Sequence, residues 1–150
     1  MAKFVYRMQN ILNIKQKLET QARMAYGLAN QNYMEQQNIL QEYMVRRVGY
    51  EQHWKELMQG DLDVAEVAHA RADVNAMKTM ARRQMIEVHK AQKELEDARE
   101  NLQTVMQERK VQEKLREKAF EAFKQELAEA ETKEIDELVS YTYNKGEQGD

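Results

Sequence analysis

The residue types that most often carry out chemistry in proteins are few and scattered in this sequence. It has three histidines, His53, His69 and His89, and no cysteine. The only spacing typical of a metal site is Glu66-x-x-His69, and a di-iron helical bundle needs two such pairs on different helices together with further carboxylates. We therefore expect no metal site and no cofactor. The lack of cysteine excludes disulfides and thiol chemistry.

Carboxylates are abundant, but the sequence lacks the patterns that turn them into catalysts. It contains neither a glycine-rich phosphate-binding loop nor an HExxH motif. General acid–base catalysis also needs a cleft that shifts pKa values, which a thin pair of helices does not provide. These observations predict a protein that is not an enzyme and has no catalytic residues.

The overall composition is that of a protein built from long helices. Charged residues make up 33% of the 150 residues, aromatics 7%, and there is no proline to break a helix. No apolar run approaches the roughly 20 residues needed to cross a bilayer, and no signal-peptide core follows Met1. Together with the absence of cysteine, this predicts a soluble cytoplasmic protein.

The strongest pattern is a seam of apolar residues in the second half of the chain. Steps of three and four residues from Val67 to Val105 meet eleven apolar side chains and one polar side chain, Gln84. A repeat of 3.5 residues over more than five heptads is typical of a coiled coil. The seam positions are Val67, Ala70, Val74, Met77, Ala81, Gln84, Val88, Ala91, Leu95, Ala98, Leu102 and Val105. Such a seam requires a partner helix.

The partner helix is predicted to come from the same chain. Gly60 suits the left-handed residue that closes a helix, and Asp63 with Glu66 resembles a capping box that starts the next one. In an antiparallel hairpin with this turn, the numbers of facing residues add up to about 121. That register places Gln36 opposite Gln84, so the two polar positions can form a hydrogen bond.

We therefore predict an all-α fold, an antiparallel two-helix coiled coil that forms one hairpin domain over residues 1–150. The first helix is expected over about residues 4–58, the turn over 59–63, the second helix over about 64–142 and a flexible tail over 144–150. The seam of the first helix is assigned to Met8, Ile11, Lys15, Leu18, Ala22, Ala25, Ala29, Asn32, Gln36, Leu40, Tyr43, Arg47, Tyr50, Trp54 and Leu57. This assignment includes a stutter from Asn32 to Leu40. Arg109, Glu113 and Arg116 are expected to interrupt the second seam.

The second helix is predicted to extend well past the first. Phe4 faces about residue 117 in this register, so residues 120–143 have no partner within the chain. Charge changes at the same place, because residues 119–150 carry three basic against nine acidic side chains. An apolar stripe on such a segment indicates a docking surface, and its acidity favours a basic partner over nucleic acid.

Aromatic residues gather at the other end of the hairpin, next to the turn. Tyr43, Tyr50 and Trp54 face smaller residues on the second helix, which cannot cover them completely. Exposed aromatic side chains often anchor protein interfaces. This end is therefore predicted to be a second contact site.

Three stretches resemble the family of the flagellar export protein FliJ. The first is Phe4-Val-Tyr-Arg-Met-Gln-Asn-Ile-Leu-Asn-Ile-Lys15, followed by Glu19. The second runs from Leu95 through Ala98, Leu102 and Val105 to Glu108-Arg109-Lys110 and Glu113-Lys114-Leu115, ending at Lys118. The third is Glu131-x-Lys133-x-Ile135-Asp136-Glu137. Together with the hairpin layout, the resemblance covers nearly the whole chain.

The resemblance implies a stalk and coupling protein of the flagellar type III export apparatus. Family members resemble the central gamma stalk of rotary ATPases. They bind the hexameric export ATPase (FliI), with which the regulator FliH is associated, and the cytoplasmic domain of the export gate protein (FlhA). They are also described as chaperones or chaperone escorts. The implied location is the cytoplasmic face of the flagellar basal body, with no contact to nucleic acid and membrane association only through the gate.

Two sets of contact residues follow from the resemblance and the stripes. The family's gate motif Q-x-x-x-L-x-x-Y-x-x-x-Y is met by Gln36, Leu40 and Tyr43, but Arg47 replaces the last tyrosine. The expected gate contacts are Gln36, Leu40, Tyr43, Arg47, Tyr50, Val74 and Met77. The expected ATPase contacts are Phe120, Phe123, Leu127, Ala130, Ile135 and Leu138. The alternative function is a general coiled-coil adaptor or chaperone, or the stalk of a non-flagellar type III secretion system.

Overall fold

The computed structural model of the protein describes residues 2–147 and consists of two long helices. Helix α1 spans Gln9–Leu57 and has 49 residues, and helix α2 spans Val64–Glu147 and has 84. The two pack against each other as a helical hairpin, with no strand in the described part of the chain. The all-α hairpin predicted from the sequence is confirmed.

The turn between the helices has the chemistry that the sequence predicts. Gly60 has a φ angle of +83°, in the left-handed region that residues with a Cβ rarely adopt. The Oδ1 atom of Asp63 accepts hydrogen bonds from the backbone N–H groups of Ala65 at 3.0 Å and Glu66 at 3.4 Å. Asp63 is therefore the N-cap of α2, and Gly60 allows the chain to leave α1 and reverse.

Two predicted helix boundaries are wrong. Helix α1 begins at Gln9 and not near Phe4. Residues 2–8 are not helical, and the Phe4 ring in this segment packs against α2. Helix α2 continues through Asn144 and Gly146 to Glu147, so residues 144–147 of the predicted flexible tail are helical. Glycine and asparagine lower helix propensity without enforcing an end. Residues 148–150 of that tail lie outside the described residues.

The contacts of the hairpin fall into two units, residues 2–19 with residues 105–147, and residues 20–104. In the second unit, the predicted seam of α2 is confirmed. Every seam residue from Val67 to Leu102 is buried or half-buried, and the side chain of Val74 is only 1% exposed. The residues between them are exposed apart from Asp73 and Lys78. A single narrow stripe of α2 therefore holds the hairpin together in this unit.

The predicted seam of α1 is wrong in its first third. Ile11 and Leu18 are 40% and 38% exposed, and Ala25 is exposed as well, whereas Leu12 and Glu19 are buried. Most buried and half-buried positions follow an unbroken heptad pattern without the predicted stutter: Leu12, Lys15, Glu19, Ala22, Tyr26, Ala29, Tyr33, Gln36, Leu40, Tyr43, Arg47, Trp54 and Leu57, with only Tyr50 exposed in the series. Gln9, Asn32, Ile39 and Glu51 are half-buried outside this series. The seam follows the register of the partner helix, even where that register selects a charged residue.

The polar layer predicted in the second unit is confirmed. The Nε2 atom of Gln84 donates a hydrogen bond to the Oε1 atom of Gln36 at 2.8 Å and to its backbone carbonyl at 2.9 Å. Gln84 is 8% exposed, so leaving its amide without a partner would be costly. Because both bonds need these two residues to face each other, the pair fixes the register of the hairpin.

The other unit combines ionic contacts with buried apolar residues such as Leu12 and Val105. The carboxylate of Glu19 pairs with the guanidinium of Arg109, which also binds Glu113 at 2.8 Å. Lys15 pairs with Glu108 at 2.8 Å. Arg109 therefore does not interrupt the seam as predicted, because its half-buried side chain occupies a seam position. The hydrogen bond that Arg109 donates to Glu113 is the main cause that raises the pKa of Arg109.

A substitution in the glutamine pair tests this account of the register. Gln84→Leu leaves the Gln36 amide without its partner and should destabilise the protein by about 1–2 kcal/mol. The double variant Gln36→Leu/Gln84→Leu should recover most of that loss, because leucines can pack in its place. Urea unfolding followed by circular dichroism measures both. A double variant no more stable than Gln84→Leu would contradict the account.

Candidate partner-binding surfaces

A shallow groove lies along one side of the unit formed by residues 20–104. It has an apolar floor and a charged rim, and its lining residues are Tyr43, Met80, Arg83, Gln84, Ile86 and Glu87. Ile86 is 64% exposed and Met80 39%, so apolar surface is open to solvent here. Arginine and glutamate one turn apart provide both signs of charge for orienting a ligand. This groove fits a protein segment better than a small molecule.

The predicted gate-contact residues divide between this surface and the hairpin interior. Leu40 and Tyr43 are half-buried, and Tyr50 is 38% exposed. Gln36 is engaged by Gln84, as described above. Arg47 donates a hydrogen bond to Glu51 at 2.9 Å.

Val74 and Met77, the two predicted gate contacts on α2, are buried. Val74 is 1% exposed and Met77 6%, because both are seam residues packed between the helices. Neither presents surface to a partner in the closed hairpin. Their role in this structure is to hold α1, and with it Tyr43, in place.

A second groove lies nearer the turn, beside the indole of Trp54. It is lined by Trp54, Met58, Val64, Val67, Ala68, Arg71, Ala72 and Asn75. Trp54 is half-buried, and its Nε1–H is buried without a hydrogen-bond partner. Two of the aromatic residues predicted to form the contact site near the turn, Tyr43 and Trp54, thus each line an open groove. The third, Tyr50, lies between them in the sequence and is 38% exposed.

In the other unit, the non-helical N-terminal segment packs on α2. The Phe4 ring lies 5.0 Å from the Phe120 ring, edge to face, and 5.5 Å from the Phe123 ring. The guanidinium of Arg116 lies 5.7 Å from the Phe4 ring centre. The hydroxyl of Tyr6 donates a hydrogen bond to Gln112 at 3.2 Å. We call residues 2–8 the N-terminal strap.

The strap corrects the prediction that α2 has no partner beyond residue 119. An extended chain advances more than twice as far per residue as a helix, so Phe4 reaches positions that a helical N-terminus would not. Phe123 is half-buried, while Phe120 stays 37% exposed. The unpartnered part of α2 therefore begins after Phe123. We call residues 124–147 the overhang.

The overhang is exposed along its whole length. Of the predicted ATPase contacts, it contains Leu127 at 38% exposure, Ala130, Ile135 at 59% and Leu138 at 61%. Leu138 also lines a small apolar depression with Val139, Thr142 and Tyr143. Seven acidic and three basic residues surround these side chains. The overhang is thus an acidic helix with uncovered apolar groups.

Sequence reasoning missed the strap and the rim of the first groove. Phe4 lies outside any helix, so helical spacing gave no reason to place it on Phe120. Met80 and Ile86 lie off the seam, where isolated apolar residues carry little information. The aromatic character of Phe4, Phe120 and Phe123 was the one available signal, because aromatic side chains tend to cluster.

Residues 2–147 contain no group of three or more acidic, histidine or cysteine side chains placed to hold a metal ion. In that same part of the chain, neither helix has a segment long and apolar enough to cross a membrane.

A substitution in the strap tests its packing. Phe4→Ala removes two aromatic contacts and should lower stability by about 1–3 kcal/mol, with increased hydrogen exchange at residues 116–126. Val5→Ala is the matched control, because Val5 is 77% exposed. Hydrogen exchange measured by mass spectrometry compares the two variants. Equal exchange in both would show that Phe4 does not hold the strap on α2.

Comparison with known proteins gives one assignment that agrees with these features. The family model described as Flagellar FliJ protein matches residues 4–148 of the 150-residue chain. No curated protein and no solved structure matches the chain significantly. The match begins in the strap and includes both helices and the overhang. The chain therefore belongs to the flagellar FliJ family, whose members are non-catalytic components of flagellar type III protein export.

Proposed function

We propose that this protein is the stalk and coupling subunit of a flagellar export ATPase complex, acting as a single hairpin domain. It binds the export ATPase hexamer (FliI), with its regulator FliH, through the overhang, and the cytoplasmic domain of the gate protein (FlhA) through the groove at Tyr43. An escort role toward export chaperones belongs to the same proposal. Its place is the cytoplasmic face of the basal body.

The overhang is the observation that carries the proposal. An isolated helix of 24 residues is marginally stable in water, and most helices in proteins are stabilised by packing. Leu127, Ile135 and Leu138 are apolar groups that nothing within residues 2–147 covers. Their acidic surroundings favour a basic partner surface. A ring of subunits with a positive opening provides both charge and apolar contact for one helix.

The groove at Tyr43 supports the gate contact. It combines an aromatic wall, exposed Met80 and Ile86, and the charges of Arg83 and Glu87. Methionine adapts its shape to different partners, and tyrosine anchors interfaces through both ring and hydroxyl. Because the groove and the overhang belong to different units of the chain, one molecule can bind two partners through separate residues.

Substitutions in the overhang test the ATPase contact. Leu127→Ala/Leu138→Ala should abolish stimulation of the purified export ATPase, because the variant removes the apolar contacts and keeps the acidic charge. Residues 124–147 should exchange amide hydrogens rapidly in the free monomer and slowly when the ATPase is bound.

The matched control is Val45→Ala/Val48→Ala, which removes two exposed side chains from α1. It should stimulate the ATPase normally. Strong protection of residues 124–147 in the free monomer, or full stimulation by the overhang variant, would contradict the proposal.

A substitution in the groove tests the gate contact. Tyr43→Ala should weaken binding to the gate domain by roughly 2 kcal/mol, the effect of losing an interface anchor. Binding to the ATPase should be unchanged. Isothermal titration calorimetry with each partner makes the comparison. Equal losses for both partners, with helicity preserved, would contradict the separation of the two sites.

A further inference from the structure

Helix α2 carries a second stripe that is distinct from the hairpin seam. It starts at Val111 and continues in steps of three and four residues to Val139, and the eight steps between its nine positions add up to 28 residues. This is again an average of 3.5 residues per position, the repeat of a coiled coil. The positions are Val111, Leu115, Lys118, Ala122, Gln125, Ala128, Thr132, Ile135 and Val139.

All nine positions are exposed. Val111 is 56% exposed, Leu115 42%, Ile135 59% and Val139 62%. The stripe is displaced by one residue from seam positions such as Gln112 and Ala119, which corresponds to a rotation of about 100° around the helix. It therefore lies on the side of α2, next to the face that packs on α1 and on the strap. Nothing in the described chain covers it.

The stripe is symmetric about Gln125. Counted from either end toward Gln125, the steps are four, three, four and three residues. The stripe of a second, antiparallel copy therefore matches it position by position. Val111 then faces Val139, Leu115 faces Ile135, and Ala122 faces Ala128. Each large apolar residue meets a large one, and the small residues meet at the centre. An isologous two-fold contact requires this kind of self-complementarity.

The charges beside the stripe distinguish antiparallel from parallel pairing. Residues 111–124 carry four basic and three acidic side chains, whereas residues 126–139 carry one basic and six acidic. Parallel pairing would place the acidic half against itself, and antiparallel pairing places it against the half that holds most of the basic residues. Charge complementarity of this kind sets orientation in coiled coils.

The flanking residues agree in detail. In the antiparallel register, four pairs beside the stripe have opposite charge: Lys114 with Asp136, Arg116 with Glu134, Glu117 with Lys133, and Lys124 with Glu126. Two pairs have the same charge, Glu121 with Glu129 and Glu113 with Glu137. Two-fold symmetry repeats each pair, so the attractive pairs outnumber the repulsive ones two to one.

We propose that this face binds a second copy of the chain, forming an antiparallel dimer of α2 helices over residues 111–139, with the two-fold axis at Gln125. The inference goes beyond the proposed function and does not rest on it. Ile135 belongs both to the dimer stripe and to the predicted ATPase contacts. The dimer therefore holds the overhang in a covered state that a partner of the overhang must displace.

Cysteine cross-linking tests the geometry, since the natural sequence contains no cysteine. Gln125→Cys should form a disulfide-linked dimer on mild oxidation, because each Gln125 faces its symmetry mate. Val111→Cys alone should not cross-link, whereas a mixture of Val111→Cys and Val139→Cys chains should give a mixed dimer. Efficient self-linking of Val111→Cys, with no mixed dimer between Val111→Cys and Val139→Cys chains, would indicate a parallel contact and overturn the proposal.

Charge exchange in the full-length protein tests the register. Asp136→Lys should weaken the dimer roughly tenfold, because two ion pairs are lost and like charges replace them. Lys114→Asp should weaken it similarly, and Lys114→Asp/Asp136→Lys should restore it. Sedimentation equilibrium over a concentration series measures each constant. Failure of the double exchange to restore dimerisation would overturn this register.

The apolar contribution has its own test. Ile135→Asp should leave a monomer at every concentration, while Val45→Asp, at a similarly exposed position outside the stripe, should dimerise like the unchanged protein. Circular dichroism checks that both variants remain helical. An unchanged protein that stays monomeric at several hundred micromolar, with no cross-link through Gln125→Cys, would overturn the proposal completely.

Discussion

The narrowness of the contact between α1 and α2 is the constraint on which the structure depends. Each helix offers one stripe with a repeat of 3.5 residues, and several positions of that stripe are alanines such as Ala70, Ala81 and Ala91. Small side chains bury little area per layer, so the hairpin must be long to be stable. In a long, weakly apolar seam, one helix could also slip along the other by one heptad. The turn prevents such a slip only for the residues close to it. Polar layers within the seam provide the remaining specificity.

These polar layers explain where sequence reasoning succeeded and where it failed. The Gln36–Gln84 bond followed from the turn and the antiparallel register, because both residues stood at seam positions in their own helices. Glu19 and Arg109 were missed for the opposite reason. A charged residue in the seam is indistinguishable from an interruption until its partner is known, so apolar Leu18 was preferred to Glu19. The register rule did not find this pair either, because it places Glu19 opposite Leu102, one heptad away from Arg109.

The strap marks a different limit. The residues from Phe4 to Met8 were read as the first helix, because nothing in their composition forbids it. Their conformation is decided by a tertiary contact, the packing of Phe4 on Phe120 and Phe123, which no local signal encodes. The capped turn at Gly60 and Asp63, in contrast, is local chemistry, and it was predictable residue by residue. The sites of contact with partners depend on residues off the seam, such as Met80 and Ile86, for which periodicity gives no expectation.

The unequal lengths of the two helices connect fold to function. Because α1 begins only at Gln9, α2 continues past it with apolar groups that residues 2–147 leave uncovered, and the acidic charge of the overhang keeps them from associating indiscriminately. Any partner must therefore offer apolar surface and positive charge together. A basic ring opening satisfies this demand, and so does the half of α2 that holds Lys114 and Lys118 in a second copy of the chain. Ile135 belongs to both proposed contacts, so we expect the two partners to compete for it. Competition of this kind lets concentration decide which is bound, because the partner with the larger ratio of concentration to dissociation constant occupies the overhang.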